Sequence, residues 1–388
     1  MSQKKKNFSL KNYFPFILVG GLLLYGILAQ NIGGPKMFGM STANLFVQIG
    51  YYIILAVSLN LVVGFLGELS LGHAGFMCIG AYLGGFIAVT LRESGKIESK
   101  LLILLISMLA AGVAAAIFGF IVGLPALRLK GDYLAIVTLA FGEIVRTICK
   151  NLFGAMGYST GSIKYDTRKD ISLYIVTLVT CLVVLFFILN LVRSKHGRAI
   201  TAIRDNEIAA KAMGINVTYY KLLVFVISAA FAGMAGVFYA HSTTPVLYSF
   251  FSYNKSIEIL VMVVLGGMAS VNGSIIAAAV LTIINVELQA KLTGDLAALK
   301  YLIYALILII MVIYNNAPKL AGLREKLSFG NMMDKKKMKK NPGHRTNDDA
   351  EWSVIPSKIE MDELLSVEVQ QSSPFDPDKP KKGGNGDE

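Results

Sequence analysis

Residues 61–86 read LVVGFLGELSLGHAGFMCIGAYLGGF. Seven glycines fall between positions 64 and 85, at 64, 67, 72, 75, 80, 84 and 85. Among them stand Glu68, Ser70 and His73, three polar side chains in an otherwise apolar stretch. Gly80 and Gly84 are four apart, so on a helix they make a small face that lets another backbone come close. A carboxylate and an imidazole at membrane depth are costly unless they line a cavity or its mouth. Glycine also lets a helix unwind and offer backbone groups to a polar ligand. The block reads as helix packing, as part of a solute pathway through Glu68, Ser70, Gly72, His73 and Gly75, or as both.

Apolar runs extend on either side, at roughly 13–30, 44–64, 74–91, 101–123, 133–149, 171–192, 221–241, 256–270, 274–290 and 300–316. A perpendicular span needs about 20 residues. The short Gly-rich runs, around 74–91 and 256–290, read as broken or re-entrant helices. The expectation is an all-α polytopic membrane protein of about 10 (8–10) transmembrane helices. Composition agrees: of 388 residues, 54% are hydrophobic and 16% charged, and mean hydropathy is +0.59. Soluble domains carry about 25% charged residues, so a water-soluble enzyme and a disordered chain are both excluded.

The net charge of +12 suggests nucleic acid at first sight, but the basic residues sit at the ends of apolar runs. No basic groove with interleaved stacking aromatics occurs, so no nucleic-acid partner is expected. Lys4, Lys5, Lys6 and Lys11 precede the first run, Arg193 to Lys221 frame one polar loop, and Lys319 to Lys340 follow the last run. An even span count puts all three on one side, so the positive-inside rule makes both termini and the 193–220 loop cytoplasmic. The first run reads as a retained span, since no small-residue cleavage pattern follows it. Cys78, Cys149 and Cys181 form no CxxC and read as packing residues.

The loop 193–220 is RSKHGRAITAIRDNEIAAKAMGINVTYY with its flanking residues. Residues 198–213 predict a short amphipathic helix closed by Gly214. Ile200, Ile203 and Ala210 would face apolar surface while Arg204, Glu207 and Lys211 face water or a partner. Further on, Pro125 and Gly131 separate two runs, and Glu143 and Arg146 form an i,i+3 pair. A third glycine cluster, VLGGMASVNGS at 264–274, holds Gly266, Gly267 and Gly273 and reads as a tight turn or a helix break. Residues 317–388, basic and then acidic, read as a disordered cytoplasmic tail beyond a transmembrane domain of residues 1–316.

Catalytic machinery is absent from the sequence. No GxxxxGK[ST] phosphate loop, HExxH, nucleophile elbow or Cys/His metal spacing occurs. The chain itself should bind no cofactor or metal and catalyse nothing.

Taken together, LVVGFLGELSLGHAGFMCIGAYLGG, LPALRLKGDYLAIVTLAFGEIVR, GRAITAIRDNEIAAKAMGINVTYYKLLVFVISAAFAGMAGVFYAH and VMVVLGGMASVNGS resemble the permease subunits of bacterial branched-chain amino acid ABC importers, most closely the LivM type. The resemblance covers about residues 40–316. It implies a heterodimer with a second, LivH-type permease, two cytoplasmic ATPase subunits that use ATP, an extracytoplasmic substrate-binding protein, and a home in the lipid of the cytoplasmic membrane. It also implies that 193–220 docks on the ATPases through Arg198, Arg204, Asp205, Asn206, Glu207, Ala209, Ala210 and Gly214. The family's EAAxxxG motif is met here by Ala209, Ala210 and Gly214, with Ile208 at the usual Glu position and Glu207 one residue earlier. Two alternatives remain at this stage: a urea or short-amide importer of the same family, and an ion-coupled secondary transporter.

Overall fold

The computed structural model describes residues 14–32, 40–95, 98–129, 131–153, 173–243 and 245–291, with Leu306 and Ile309. The chain divides into two units, Met1–Asn315 and Asn316–Glu388, and every described residue falls in the first. The expected tail, 317–388, and all but two residues of the run 300–316 lie outside the described residues.

Among the described residues there are eleven α-helices and no strand ladder. They are α1 (Phe14–Ile32), α2 (Met40–Asn60), α3 (His73–Glu93), α4 (Lys100–Ala126), α5 (Asp132–Phe153), α6 (Leu173–Arg193), α7 (Lys195–Asp205), α8 (Glu207–Ala212), α9 (Val217–Ser242), α10 (Tyr253–Gly266) and α11 (Val271–Lys291). Among the described residues, six segments are long and apolar enough to cross a membrane: Thr42–Leu66, His73–Glu93, Lys100–Ala126, Leu173–Arg193, Val217–Ser242 and Val271–Leu288. The all-helical, polytopic expectation therefore holds. The run at 74–91 is one continuous helix, while 256–290 is two helices joined by a turn at Gly267–Ser270. α5 is helical along its length but carries Asp132, Glu143, Arg146 and Lys150, four charged residues in one helix.

The most apolar stretch of Thr42–Leu66 is wholly buried, whereas 39% of that of α4 is. α2 is thus the central post, and α4 shows Leu102, Leu109, Val113, Ile117 and Ile121 outward. In lipid these exposed side chains need no covering, because hydrocarbon is as apolar as they are. Close packing of α3 on α9 depends on missing side chains. A methyl group on Gly80 would lie 2.0 Å from the Gly233 carbonyl oxygen, and one on Gly236 would lie 2.1 Å from that of Met77. Gly84 meets Val237 in the same crossing. The small face read from Gly80 and Gly84 is this contact.

The polar loop differs from the single helix expected over 198–213. It folds as two helices, α7 and α8, interrupted at Asn206. Asn206 is extended (φ −159°, ψ 106°), and its side chain accepts the Ala209 N–H at 3.0 Å as the N-cap of α8. An Asn that can satisfy a helix's free amides starts a new helix more readily than it continues the old one. Ser194 caps α7 by accepting the His196 and Gly197 amides. Gly214 (φ +80°) closes α8, with Ile215 N–H bonded to Ala210 O and Gly214 N–H to Lys211 O. Those two bonds form a Schellman stop, which requires a left-handed residue at that position.

Candidate coupling site and pathway

Ile200, Ile203 and Ala210 are buried, so α7 and α8 lie with their apolar faces against the helical bundle. Their polar residues reach the first glycine break. α2 runs into a π-turn at Leu61–Leu66, and Gly67 (φ +82°) ends it. A side chain at Gly67 would collide with Arg204, whose Cγ lies 2.7 Å from the Cβ site. Arg204 Nη1 donates to Gly64 O at 3.3 Å, and its Nη2 bonds Asp205 at 2.9 Å.

One residue beyond Gly67, Glu68 accepts from Lys221 Nζ at 2.5 Å, and the same ammonium bonds Glu207 Oε2 at 3.1 Å. Lys221 is 5% exposed at the side chain, Glu68 14% and Glu207 37%. The Lys221–Glu68 contact is sheltered from water and is the stiffer of the two. The Glu207 contact is more screened and weaker. Lys221 therefore joins three segments: the break after α2, the start of α8 and the base of α9.

Asn60 extends this link. It is fully buried. Its Nδ2 donates to Ser270 O at 3.1 Å and Ser274 Oγ at 2.9 Å, and its Oδ1 accepts the Ala269 N–H at 3.0 Å. Gly64 permits the approach, since a methyl group there would lie 1.9 Å from Asn60 Oδ1 and 2.3 Å from Ala269 N. Gly266 and Gly273 press backbone to backbone, so α10 and α11 leave the turn side by side. The two glycine breaks thus meet at Asn60, and Arg204 and Lys221 tie them to α7 and α8.

The expected pathway residues fall in two places. Glu68 stands with Lys221, beside the start of α8. Ser70 and His73 are buried, and His73 Nε2 lies 3.0 Å from Ser58 Oγ. Gly72 and Gly75 pack α3 against α5, their Cβ sites falling 2.5 Å from Thr138 O and 2.7 Å from Gly142 Cα. The free amides at the start of α3 are also used: Leu71 N–H donates to Thr138 Oγ1 and Ala74 N–H to Ser256 Oγ. Of the expected docking residues, Arg204 and Glu207 reach Gly64 and Lys221 while their side chains stay 36% and 37% exposed, and Asp205 is 67% exposed on its side chain. Ile208 and Met213 are 80% and 82% exposed, two apolar side chains aimed outward from a polar helix. Arg198 and Ala209 are also exposed. No group of residues with metal-ligand character occurs among the described residues. Cys78 and Cys149, far apart in sequence, place their sulfurs 3.6 Å apart between α3 and α5.

Sequence reading missed Asn60, Lys221 and Ser270 as linking residues. The available signal was physical: a lysine or asparagine inside a long apolar run is costly and implies a buried partner.

A family model described as the branched-chain amino acid transport system permease component matches residues 41–312. The chain belongs to this family. It is 38% identical over 299 residues to the high-affinity branched-chain amino acid transport system permease protein LivM of Salmonella typhimurium, covering 69% of this chain and 68% of that one. It is 36% identical over 341 residues to the LivM protein of Escherichia coli K12, covering 80% of this chain and 77% of the relative. It is 24% identical over 283 residues to the LivH permease of the same strain, covering 67% of this chain and 89% of that one. The chain is accordingly a multi-pass membrane permease, similar in sequence to both kinds of Liv permease.

Proposed function

We propose that this permease is the membrane subunit of an ABC importer that moves branched-chain amino acids across the cytoplasmic membrane. The likeness to two LivM proteins over most of both chains carries this reading. A LivH-type permease would complete the membrane part, and a substrate-binding protein would deliver the solute from outside. Two ATPases would hydrolyse ATP at α7 and α8 on the cytoplasmic side, where both termini also lie. This chain would contribute no catalytic group and no cofactor.

The geometry supplies a way to transmit the work. Ile208, Ala209 and Met213 offer exposed apolar side chains, and the exposed Asp205 and Arg198 offer salt-sensitive contacts. Glu207, engaged with Lys221, works inside the permease and not at the ATPase. A push on α8 is passed through Lys221 and Arg204 to Glu68 and Gly64, and through Asn60 to the turn before α11. Short capped helices and paired charges move as a unit, so displacement at the cytoplasmic end reaches the spans without being absorbed.

The test is uptake of labelled leucine and labelled urea by cells with and without the chain, its partners present. Leucine uptake that requires the chain and is lost in Ile208→Lys/Met213→Lys, at normal membrane levels, is the expected result. Urea uptake in its place changes the substrate and keeps the architecture. Uptake that persists after ATP depletion overturns the ABC reading in favour of an ion-coupled carrier.

A further inference from the structure

A second polar cluster lies away from the coupling site. On α10, Lys255 Nζ bonds Glu258 Oε2 at 2.5 Å and Tyr52 Oη at 2.8 Å. The same ammonium stands 4.2 Å from the centre of the Phe250 ring and 5.3 Å from that of Tyr52. Phe250 is itself stacked on Tyr239, ring centres 4.1 Å apart. Glu258 Oε1 accepts from Asn285 Nδ2 at 2.6 Å, while Asn285 Oδ1 is buried with no hydrogen-bond partner among the described residues. The side chains of Lys255 and Glu258 are 11% and 16% exposed.

Depth makes this cluster unusual. Tyr52, itself buried, lies ten residues into the Thr42–Leu66 segment, or about 15 Å along the helix at 1.5 Å per residue. A buried ion pair is often no more stabilising than apolar side chains of the same size, so stability alone gives no reason for it. Ionisable groups at this depth mark solute routes. Around the first break His73 is engaged with Ser58, and the Leu71 and Ala74 amides with Thr138 and Ser256, whereas here a carboxamide oxygen is left over.

We propose that Lys255, Glu258 and Asn285 form a transient binding site for a zwitterionic amino acid with an apolar side chain. This deepens the importer reading above and rests on it. The solute's carboxylate replaces Glu258 at Lys255. Its ammonium takes Glu258 and the free Asn285 oxygen, and its side chain lies against the rings of Tyr52 and Phe250. Every charge stays paired during entry and release, and the Lys255–Glu258 pair closes the site when it empties. No covalent step is involved.

The test is equilibrium binding of labelled leucine to the purified complex in nanodiscs without its binding protein. Leucinamide, which lacks the carboxylate, and 4-methylpentanoate, which lacks the ammonium, serve as competitors. Lys255→Met and Glu258→Gln should each weaken leucine binding about tenfold or more. Lys255→Met should also let leucinamide compete as well as leucine, and Glu258→Gln should do the same for 4-methylpentanoate. A merely structural pair would not reorder the analogues. Asn285→Ala keeps the ion pair and should weaken leucine binding a few-fold, which tests the site even if the charge variants fail to fold. Absence of saturable leucine binding, or an unchanged analogue order in folded variants, overturns the site. Leucine import by cells carrying the unaltered complex is measured alongside. Its absence sinks the importer reading, while import with binding indifferent to all three variants sinks only the site.

Discussion

The two glycine breaks, 60–72 and 264–274, have similar composition and different shapes. The first leaves α2 through a π-turn, turns at Gly67 and takes until His73 to resume a helix. The second reverses within Gly267–Ser270, where Ala269 holds a left-handed φ of +62° and Ser270 accepts the Gly273 amide as a cap. The long break carries Glu68 and is bound by ions to α8 and α9; the short one has only neutral hydrogen bonds. Glycine permits both shapes. The neighbour chooses: Arg204 and Lys221 hold the first open, and the Gly266–Gly273 contact pulls the second shut.

Asn60→Leu should affect both breaks and have the largest effect. It removes three hydrogen bonds, worth roughly 1 kcal/mol each, and strands the Ala269 amide, while the Ser270 carbonyl keeps the Ser274 amide and hydroxyl. A loss of about 3 kcal/mol should appear as a clear fall in the thermal midpoint of the detergent-purified protein. Equal stability would mean that the breaks are not joined at this residue.

Lys221→Met should strike the long break alone. It leaves Glu68 sheltered and unpaired, while the more exposed Glu207 loses little, so about 2 kcal/mol is expected. A cysteine placed at Leu69 should then react faster with a water-soluble maleimide, while one placed at Met268 should not.

Gly273→Ala acts only on the short break. Its new methyl group would meet the Gly266 carbonyl, which must shift, at a cost of about 1–2 kcal/mol. Thermal midpoint and leucine uptake should fall together, with the reactivity at Leu69 unchanged. The smallest effect has the opposite sign. Ala269→Gly relieves a left-handed alanine and should stabilise by up to about 1 kcal/mol. A drop in midpoint would show that the alanine methyl packs to a purpose that its φ conceals.

Much of the fold was legible because lipid imposes a simple rule. Every span must satisfy its own backbone, so long apolar runs had to be helices, and nine of the ten runs read from sequence fall on described helices. The Gly80–Gly84 face was legible for a similar reason: small residues four apart have one common use on a helix. The division at Asn206 was not, because alanine-rich helix propensity on both sides outweighed a single capping residue in the reading. The pathway residues were the least legible. Glu68 looked like a solute contact because its partner is 153 positions away, and no local pattern announces such a pairing.

The sequence by itself determined the class of the molecule, the spans, the capped polar segment between α6 and α9, and the family likeness. These follow from composition and local periodicity, which act over a few turns of chain. Only the tertiary structure decided which polar groups meet. It set Lys221 between Glu68 and Glu207, Asn60 across both breaks, and Lys255 with Glu258 in the middle of the bundle. A buried charge or amide must find a partner somewhere, but sequence states the need without the address, and the crossing of helices supplies it.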